Sequence, residues 1–219
     1  MILNMYKPPK ISSFNFIYRL KRVLNVKKIS HAGTLDPLAE GVMVVLTDSD
    51  CKIQDSFMKK DKEYEATILL GAGSESFDLE KPLLFEEIAP ELDEVRLKEV
   101  LDSLNGHISL PVPIFSAKVI SGKRLYKFAR AGKEINDLPM MNSVIYEIKI
   151  LEVTSYNYFD QKFPLIKLLI SCSSGTYIRT LANEIGLRLG TQGVLFHLKR
   201  TKVGEFSVND SKTENSFLL

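Results

Sequence analysis

Asp36 is the residue whose surroundings best suit chemistry, and it lies in the stretch His31–Ala39 (HAGTLDPLA). Pro37 biases the backbone of Asp36 away from the helical region, and Gly33 permits a tight turn just before it. With a leucine on either side, the carboxylate would project from a stiff turn into a partly apolar setting, which gives a catalytic carboxylate a fixed aim and little water. Asp-Pro is also an ordinary turn signal, and for an isolated pair the structural interpretation is the stronger one.

The segments around this turn predict the elements that must position it. Apolar spacing, caps and breakers indicate helices and strands in irregular alternation. The predicted strands are Ile2–Met5, Tyr64–Leu70, Val144–Val153, Leu165–Cys172 and Val203–Val208, with Gly41–Leu46 either a strand or a short helix. The predicted helices are a Ser12-Ser13-capped segment through Leu24, Leu92–Leu104 and Thr176–Leu189. We expect a surface connection over Gly71–Pro90, a loop with a short helix over Pro111–Lys133, and one α+β domain over residues 1–219.

Composition excludes several classes of protein. The chain has 219 residues, 45% of them hydrophobic and 26% charged, which is ordinary for a globular domain. Its two cysteines are far apart and its three histidines are scattered, so we expect neither a disulfide framework nor a metal site. We expect neither an export signal nor a membrane span, and a cytoplasmic location is the default.

The charges are sorted along the chain although the net charge is only +2. Residues 1–35 hold seven Lys/Arg, residues 118–133 hold six and residues 185–204 hold four, and none of these blocks contains an acid. For any single block a solvated surface explains the charges equally well. Three such blocks together favour a face that contacts phosphates.

The stretch Lys28–Leu46 (KISHAGTLDPLAEGVMVVL) resembles a motif of the bacterial tRNA pseudouridine-55 synthases, the TruB-type family, close to G-H-T-G-T-L-D-P-L-A-T-G-V-L. Ser30, Ala32, Glu40 and Met43 differ from that pattern.

Other blocks follow in the family's order and cover nearly the whole chain. They are Asn4–Ser13, Asp61–Tyr64, Gly71–Asp78, Pro113–Lys118, Gly122–Tyr126, Cys172–Leu181 and Leu198–Thr201. Four departures within them are Tyr6 for Asp, Lys10 for Gly, Phe115 for Tyr and Ser174 for Lys.

The resemblance implies the pseudouridine synthase fold, a mixed and largely antiparallel sheet flanked by helices with a central RNA-binding cleft. It implies an isomerase that converts uridine to pseudouridine at position 55 in the T-arm loop of tRNA. The N1–C1′ bond breaks, the base turns and C5 joins C1′, so no cofactor is required. Asp36 would be the catalytic carboxylate, either attacking covalently or abstracting a proton on the way to a glycal-like intermediate.

The resemblance also implies roles for other residues. Arg179 would keep Asp36 ionised, Tyr64 would stack on the flipped uridine, and Tyr177 would assist near the base. Lys7 and Leu198 would support the site, and His31 would contact RNA.

A basic insertion at about residues 111–140 would grip the RNA. The residues expected to bind RNA, besides His31, are Lys118, Lys123, Arg124, Lys127, Arg130, Lys133, Lys199 and Arg200. We expect a monomer whose partner is the T-arm stem-loop of tRNA, without a metal, without a membrane and without the C-terminal PUA domain that many members carry.

Two alternatives stay open at this point. The four departures leave room for a tRNA-folding protein with weak or vestigial catalysis. The same chemistry could also act on another RNA, because target choice depends more on loop shape than on catalytic residues.

Overall fold

The computed structural model describes residues 1–116, 118–120, 122–131 and 137–217. Its helices are α1 (Ser13–Val23), α2 (Gln54–Met58), α3 (Glu94–Ser103), α4 (Leu125–Arg130) and α5 (Ile178–Arg188). Its strands are β1 (Ile2–Lys7), β2 (Ile29–His31), β3 (Glu40–Thr47), β4 (Lys62–Leu70), β5 (Ala72–Gly73), β6 (Leu84–Phe85), β7 (Gly106–Pro111), β8 (Val119–Ile120), β9 (Lys123–Arg124), β10 (Met140–Tyr158), β11 (Gln161–Cys172), β12 (Gly193–Val203) and β13 (Phe206–Ser207).

The largest sheet has nine strands, in the order β1-β3-β12-β4-β11-β10-β7, with β13 paired to β12 and β2 paired to β3. The pairs β1–β3, β2–β3, β7–β10 and β12–β13 are antiparallel, whereas β3 and β12 run parallel. The predicted α+β class with a mixed, largely antiparallel sheet is confirmed.

The chain divides into two compact units. The first comprises Met1–Glu65, Leu169–Ser174 and His197–Leu219, and the second comprises Ala66–Leu168 and Gly175–Phe196. The prediction of one catalytic domain over the whole length stays a prediction.

Strand β3 is the centre of the first unit. It pairs with the full length of β1, from Ile2 opposite Leu46 to Lys7 opposite Gly41. Seven of its eight residues are buried, which explains its continuous apolar sequence and decides the strand-or-helix question in favour of a strand. Val42, Val44 and Leu46 form a core cluster with Ala32 and Val203.

Helix α1 forms as its sequence predicts. The Ser12 side chain caps it by accepting from the Asn15 amide at 3.2 Å, and the helix ends at its C-cap, Leu24. Phe16 and Leu20 are fully buried on one face. The helix therefore begins, with a fixed orientation, close to the loop that carries Asp36.

The second unit is built on the pairing of β10 with β7. Leu69, Ala72, Phe163 and Val194 form a core cluster in this unit. Asp93 caps α3 by accepting from two backbone amides. Helix α5 begins at Ile178, two residues later than predicted.

Some predictions about the individual elements were wrong. Gly71–Pro90 is not only a surface connection, because β5 pairs with β6 and Ser76 and Asp78 are buried. The hydroxyls of Ser74 and Ser76 bind the Asp78 carbonyl, so a polar segment satisfies its own groups inside the unit. Strands β7 and β12 were missed, because polar residues interrupt their apolar positions and leave little periodicity. The strand predicted over Val203–Val208 was also wrong, because β12 ends at Val203 and only Phe206–Ser207 form the strand that follows. Within the described residues, no helix has the length and apolar content needed to cross a bilayer.

Candidate active site

The loop that carries Asp36 joins β2 to β3 in the first unit, and Asp36 is half-buried on it. A turn closes behind the carboxylate, because the Ala39 amide donates to the Asp36 carbonyl at 3.1 Å. Before it, the Ala32 amide donates to the Val44 carbonyl at 2.9 Å. Gly33 has a φ of +101°, a conformation that glycine adopts without strain.

Ser13 holds the residue just before Asp36. Its hydroxyl donates to the Leu35 carbonyl at 2.6 Å and accepts from the Leu35 amide at 2.9 Å. Both hydrogen bonds are buried. The first residue of α1 therefore fixes the backbone of Leu35 in position and orientation.

Lys7 holds the residue just after Asp36. Its Nζ donates to the carbonyls of Pro8 and Ile11, both at 2.8 Å, and of Pro37 at 3.3 Å. The side chain is fully buried at the end of β1. Lys7 therefore contacts the residue that follows Asp36, and its supporting role in the reaction stays a prediction.

Arg200 of β12 holds the loop from a third direction. Its Nη2 donates to the Gly33 carbonyl at 3.1 Å and its Nη1 to the Thr34 carbonyl at 3.4 Å, while Nε donates to Val42 at 2.8 Å. The residue is only 1% exposed. Arg200, Ser13 and Lys7 together occupy the carbonyls of residues 33, 34, 35 and 37, so side chains from three elements fix the backbone around Asp36.

The burial of Arg200 corrects its predicted role as an RNA contact. A guanidinium that is buried and hydrogen-bonded to three carbonyls cannot also reach a phosphate at the surface. Arg200 is a positioning residue. Lys199, the preceding residue, is half-exposed.

Buried cations surround the loop. Burial lowers the pKa of Lys7 to about 8, the negative charge of Asp36 opposes that shift, and Arg200 adds to it. Burial and the charge of Arg200 likewise lower the pKa of Lys62 to about 8. The charge of Asp36 acts on the pKa of Lys7, so the carboxylate and this buried ammonium interact electrostatically.

Tyr64 lies on β4 and its side chain is buried. Burial raises its pKa to about 12, opposed by the charge of Arg200 and by a hydrogen bond with that residue. Its hydroxyl therefore stays protonated at physiological pH. Asp36 also acts on the pKa of Tyr64 through its charge, so the tyrosine expected to stack on the base and the carboxylate belong to one electrostatic cluster.

His31 and Leu198 are in the first unit as well. Burial and the charge of Arg200 lower the pKa of His31, so its imidazole is neutral at pH 7. Leu198 is buried on β12. The first unit thus contains Asp36, Lys7, His31, Tyr64 and Leu198 of the predicted site.

Arg179 and Tyr177 are in the second unit. Arg179 is buried, donates to the carbonyls of Ser76 and Phe115, both at 3.1 Å, and pairs through Nε with Asp78 at 3.6 Å. Asp78 is a partner that the sequence analysis missed, although it closes the block Gly71–Asp78. Tyr177 is half-buried at the N-cap of α5. The pairing of Arg179 with Asp36 stays a prediction.

The residues predicted to grip RNA in the second unit are solvent-facing where they are described. Lys118, Lys123, Arg124 and Lys127 are exposed, around the small β8–β9 hairpin and α4. The side chain of Arg130, and Lys133 as a whole, lie outside the described residues.

One of the departures from the family motif, Tyr6, has a structural explanation. Tyr6 donates to Glu40 Oε2 at 2.5 Å, and His197 lies 3.0 Å from Glu40 Oε1, so the acid absent at position 6 is present at position 40. Lys10 has a φ of +63°, a conformation that suits the glycine usual there, and nothing in the structure explains the lysine. Phe115 packs under Lys81, whose Nζ lies 5.2 Å from the ring centroid. Nothing in the structure explains Ser174.

Solved structures with a similar fold include two complexes described as an archaeal box H/ACA sRNP Nop10-Cbf5 complex (TM-score 0.70, 23% identity) and a Cbf5-Nop10-Gar1 complex (TM-score 0.71, 23% identity). They match 99% and 97% of this chain, which spans about half the length of theirs, 52% and 51%.

Curated relatives are more similar in sequence. A protein from Parabacteroides distasonis named tRNA pseudouridine synthase B is 42% identical over 95% of this chain and 87% of its own length. One of the same name from Clostridium tetani is 37% identical over 96% of this chain and 70% of its own. Residues 21–178 match the family model described as TruB family pseudouridylate synthase (N terminal domain). Because this match covers most of the chain and includes the loop that carries Asp36, the chain belongs to the TruB family of pseudouridylate synthases.

Proposed function

We propose that this protein isomerises uridine to pseudouridine at position 55 in the T-arm loop of tRNA, with Asp36 as the catalytic carboxylate. The single observation that carries the proposal is the fixed backbone around Asp36, where Arg200, Ser13 and Lys7 occupy four loop carbonyls. The relatives named tRNA pseudouridine synthase B supply the reaction and the class of substrate.

The reaction makes few demands beyond positioning. One bond, N1–C1′, breaks, and one bond, C5–C1′, forms, while the proton on C5 is finally lost and N1 gains one. The product contains every atom of the substrate, so the chain needs only to hold the nucleotide and to supply a carboxylate and a proton path. An ionised Asp36 serves both the covalent route and the glycal-type route.

The environment of Asp36 suits that task. The ammonium of Lys7 and the guanidinium of Arg200 lie on the carbonyls before and after it, and neither can turn away without leaving buried carbonyls without donors. Preorganised charge of this kind requires no rearrangement during the reaction. In our proposal Arg179 adds a further positive charge when RNA is bound.

A uridine reaches a half-buried carboxylate only after it flips out of its stack, at a cost of a few kcal/mol. We assign Tyr64 to stack on the flipped base, worth roughly 1–3 kcal/mol, with Leu198 as an apolar wall and Tyr177 nearby. His31, neutral at pH 7, contacts the RNA without adding charge.

The exposed cations of the second unit provide the grip on the T-arm. Lys118, Lys123, Arg124 and Lys127 carry four charges free to contact phosphates in succession. We further propose that the protein acts as a monomer, in the cytoplasm, where its tRNA substrate is made and used.

The test is to incubate the purified protein with an unmodified tRNA transcript and to map pseudouridine at nucleotide resolution. We expect a single site at position 55 and no product from a transcript with cytidine there. Product at another uridine would overturn the choice of target. Tight tRNA binding without any product would favour the tRNA-folding protein instead.

A further inference from the structure

The exposed side of α1 carries a surface that the proposed site does not use. We define the α1 patch as Phe14, Tyr18, Lys21, Lys27 and Lys28. Together with Ile17, Ile29 and Cys51, these residues line a cavity of about 400 Å³. All of them lie in the first unit. The five residues of the α1 patch belong to the acid-free basic block of residues 1–35, and the proposed function gives none of these five a role.

The aromatic half of the α1 patch is a pair of neighbouring rings. Phe14 and Tyr18 are four residues apart on the helix, and their ring centroids are 6.3 Å apart with an angle of 16° between the planes. Phe14 is 70% exposed and Tyr18 is 57% exposed. Helix α1 already buries Phe16 and Leu20 on its other face, so core packing does not account for these two rings.

The basic half of the α1 patch is a turn held by Asp48. One oxygen of the Asp48 carboxylate accepts from the backbone amides of Lys27 and Lys28, both at 3.1 Å, and the Asp48 amide donates to the Lys28 carbonyl at 3.0 Å. Asp48 adopts a φ of +50° to do so. The turn is therefore rigid while both lysine side chains are exposed.

Exposed aromatic rings beside exposed lysines suit the binding of a nucleotide. Aromatic side chains stack on bases, and lysines contact the flanking phosphates. No acid lines the cavity in the part of the chain that the structure describes, and the nearby Asp48 carboxylate accepts hydrogen bonds from two backbone amides. A cavity of this size lies within the usual range for a small ligand group and can hold a single base.

We propose that the α1 patch binds an unpaired nucleotide of the substrate RNA, with its base stacked on Phe14 or Tyr18 and its phosphates on Lys27 and Lys28. The nucleotide must be unpaired because a base inside a duplex offers no free face. This proposal rests on the proposed function for its choice of RNA, and it adds a second RNA-binding surface to the site around Asp36.

The experiment measures equilibrium binding of an unmodified tRNA transcript to the full chain over a range of salt concentrations. The double variant F14A/Y18A is expected to bind about 5- to 100-fold more weakly, as loss of base stacking predicts, with an unchanged salt slope. The double variant K27Q/K28Q is expected to bind more weakly and to lower the log–log salt slope by about 1.5, as loss of two phosphate contacts predicts.

Phe159 provides the matched control for the aromatic variant. It is 86% exposed in the turn between β10 and β11, where neither proposal places an RNA contact, so Phe159→Ala should leave tRNA affinity unchanged. Circular dichroism and thermal unfolding of each variant separate a loss of binding from a loss of folding, because the substituted side chains are exposed and should change the melting temperature little.

Wild-type affinity and salt slope in both double variants would overturn the proposal. So would co-sedimentation with anionic lipid vesicles that is lost in the variants while tRNA binding is kept. The outcome is separate from that of the proposed function. If the wild type binds tRNA through the patch yet forms no pseudouridine, the function fails and the patch stands. If the variants bind and convert tRNA normally, the patch fails and the function stands.

Discussion

The guanidinium of Arg200 donates to the carbonyl of Gly33 at 3.1 Å, although the two residues are 167 positions apart in the chain. This contact joins the strand near the end of the fold to the turn that precedes Asp36. The orientation of the Asp36 carboxylate therefore depends on a buried cation that lies outside the loop.

Arg200→Lys should reduce kcat far more than it changes KM. A lysine cannot span three carbonyls as the planar guanidinium does, and a displacement of the loop by about 1 Å is worth roughly 100-fold in rate. The melting temperature should also fall, because a buried carbonyl left without a donor costs about 1–3 kcal/mol. Steady-state kinetics and thermal unfolding measure both effects.

Lys199→Gln is the matched control for that variant, because the neighbouring lysine is half-exposed. It should weaken tRNA binding and lower the salt slope by about 1, with the melting temperature unchanged. If Arg200→Lys behaved like this control, Arg200 would be an RNA contact and its positioning role would be refuted.

Gly41→Ala should destabilise the fold more than Gly190→Ala. Both glycines have positive φ, +110° and +83°, so each substitution carries backbone strain of about 1–2 kcal/mol. A Cβ at Gly41 would lie 2.2 Å from the Arg200 carbonyl oxygen, whereas one at Gly190 would have open space among the described residues. Urea unfolding of the two variants isolates the clash, and equal losses of unfolding free energy would show that β3 and β12 are not so close.

Lys7 should make the protein more stable as the pH rises above 8. Its pKa is about 8 in the folded state against 10.5 for the free side chain, so between these values the unfolded chain binds more protons than the folded one. The free energy of unfolding therefore gains a contribution that increases from pH 8 to pH 10.5.

The Lys7→Met variant should lack this contribution. Lys62 has a similarly lowered pKa, so both lysines contribute to the increase in the wild-type free energy of unfolding. The contribution of Lys7 is the difference in unfolding free energy between wild type and Lys7→Met, measured by urea unfolding at each pH. Parallel stability–pH curves for the two proteins would contradict a lowered Lys7 pKa.

Neutralising the exposed cations of the second unit should weaken tRNA binding and lower its salt dependence. The variant K118Q/K123Q/K127Q should reduce the log–log salt slope by about 2–3, since each phosphate contact contributes roughly 0.7–0.9. The matched control is K98Q/K149Q/K162Q, which removes three exposed lysines of the same unit. An equal change in salt slope in both variants would mean that the net charge of the protein attracts the RNA, and that these three lysines make no specific phosphate contacts.

The sequence predicts most of the local structure around the site, because local signals are strong there. Ser12 and the apolar face of α1, and the run of β-branched residues in β3, each favour one element. The turn at Asp36 follows from Gly33 and Pro37. These are short-range effects, and the structure contains them at the expected positions.

The role of Arg200 could not be predicted in the same way. An arginine in an acid-free block suggests a surface cation, and its burial depends on three carbonyls that only the folded sheet brings to it. The burial of Ser76 and Asp78 could not be predicted either, because it depends on their contacts with Arg179, about 100 residues later in the chain. Local sequence patterns therefore do not predict which polar groups far apart in the chain will contact each other in the site.

The central claim is that Asp36 performs the chemistry and does not merely shape the turn. The most direct test is Asp36→Asn, which keeps the size of the side chain and removes its charge, with tRNA binding and pseudouridine formation measured on the same preparation. We predict wild-type tRNA affinity and no pseudouridine at position 55. Pseudouridine formation at the wild-type rate in this variant would contradict the account.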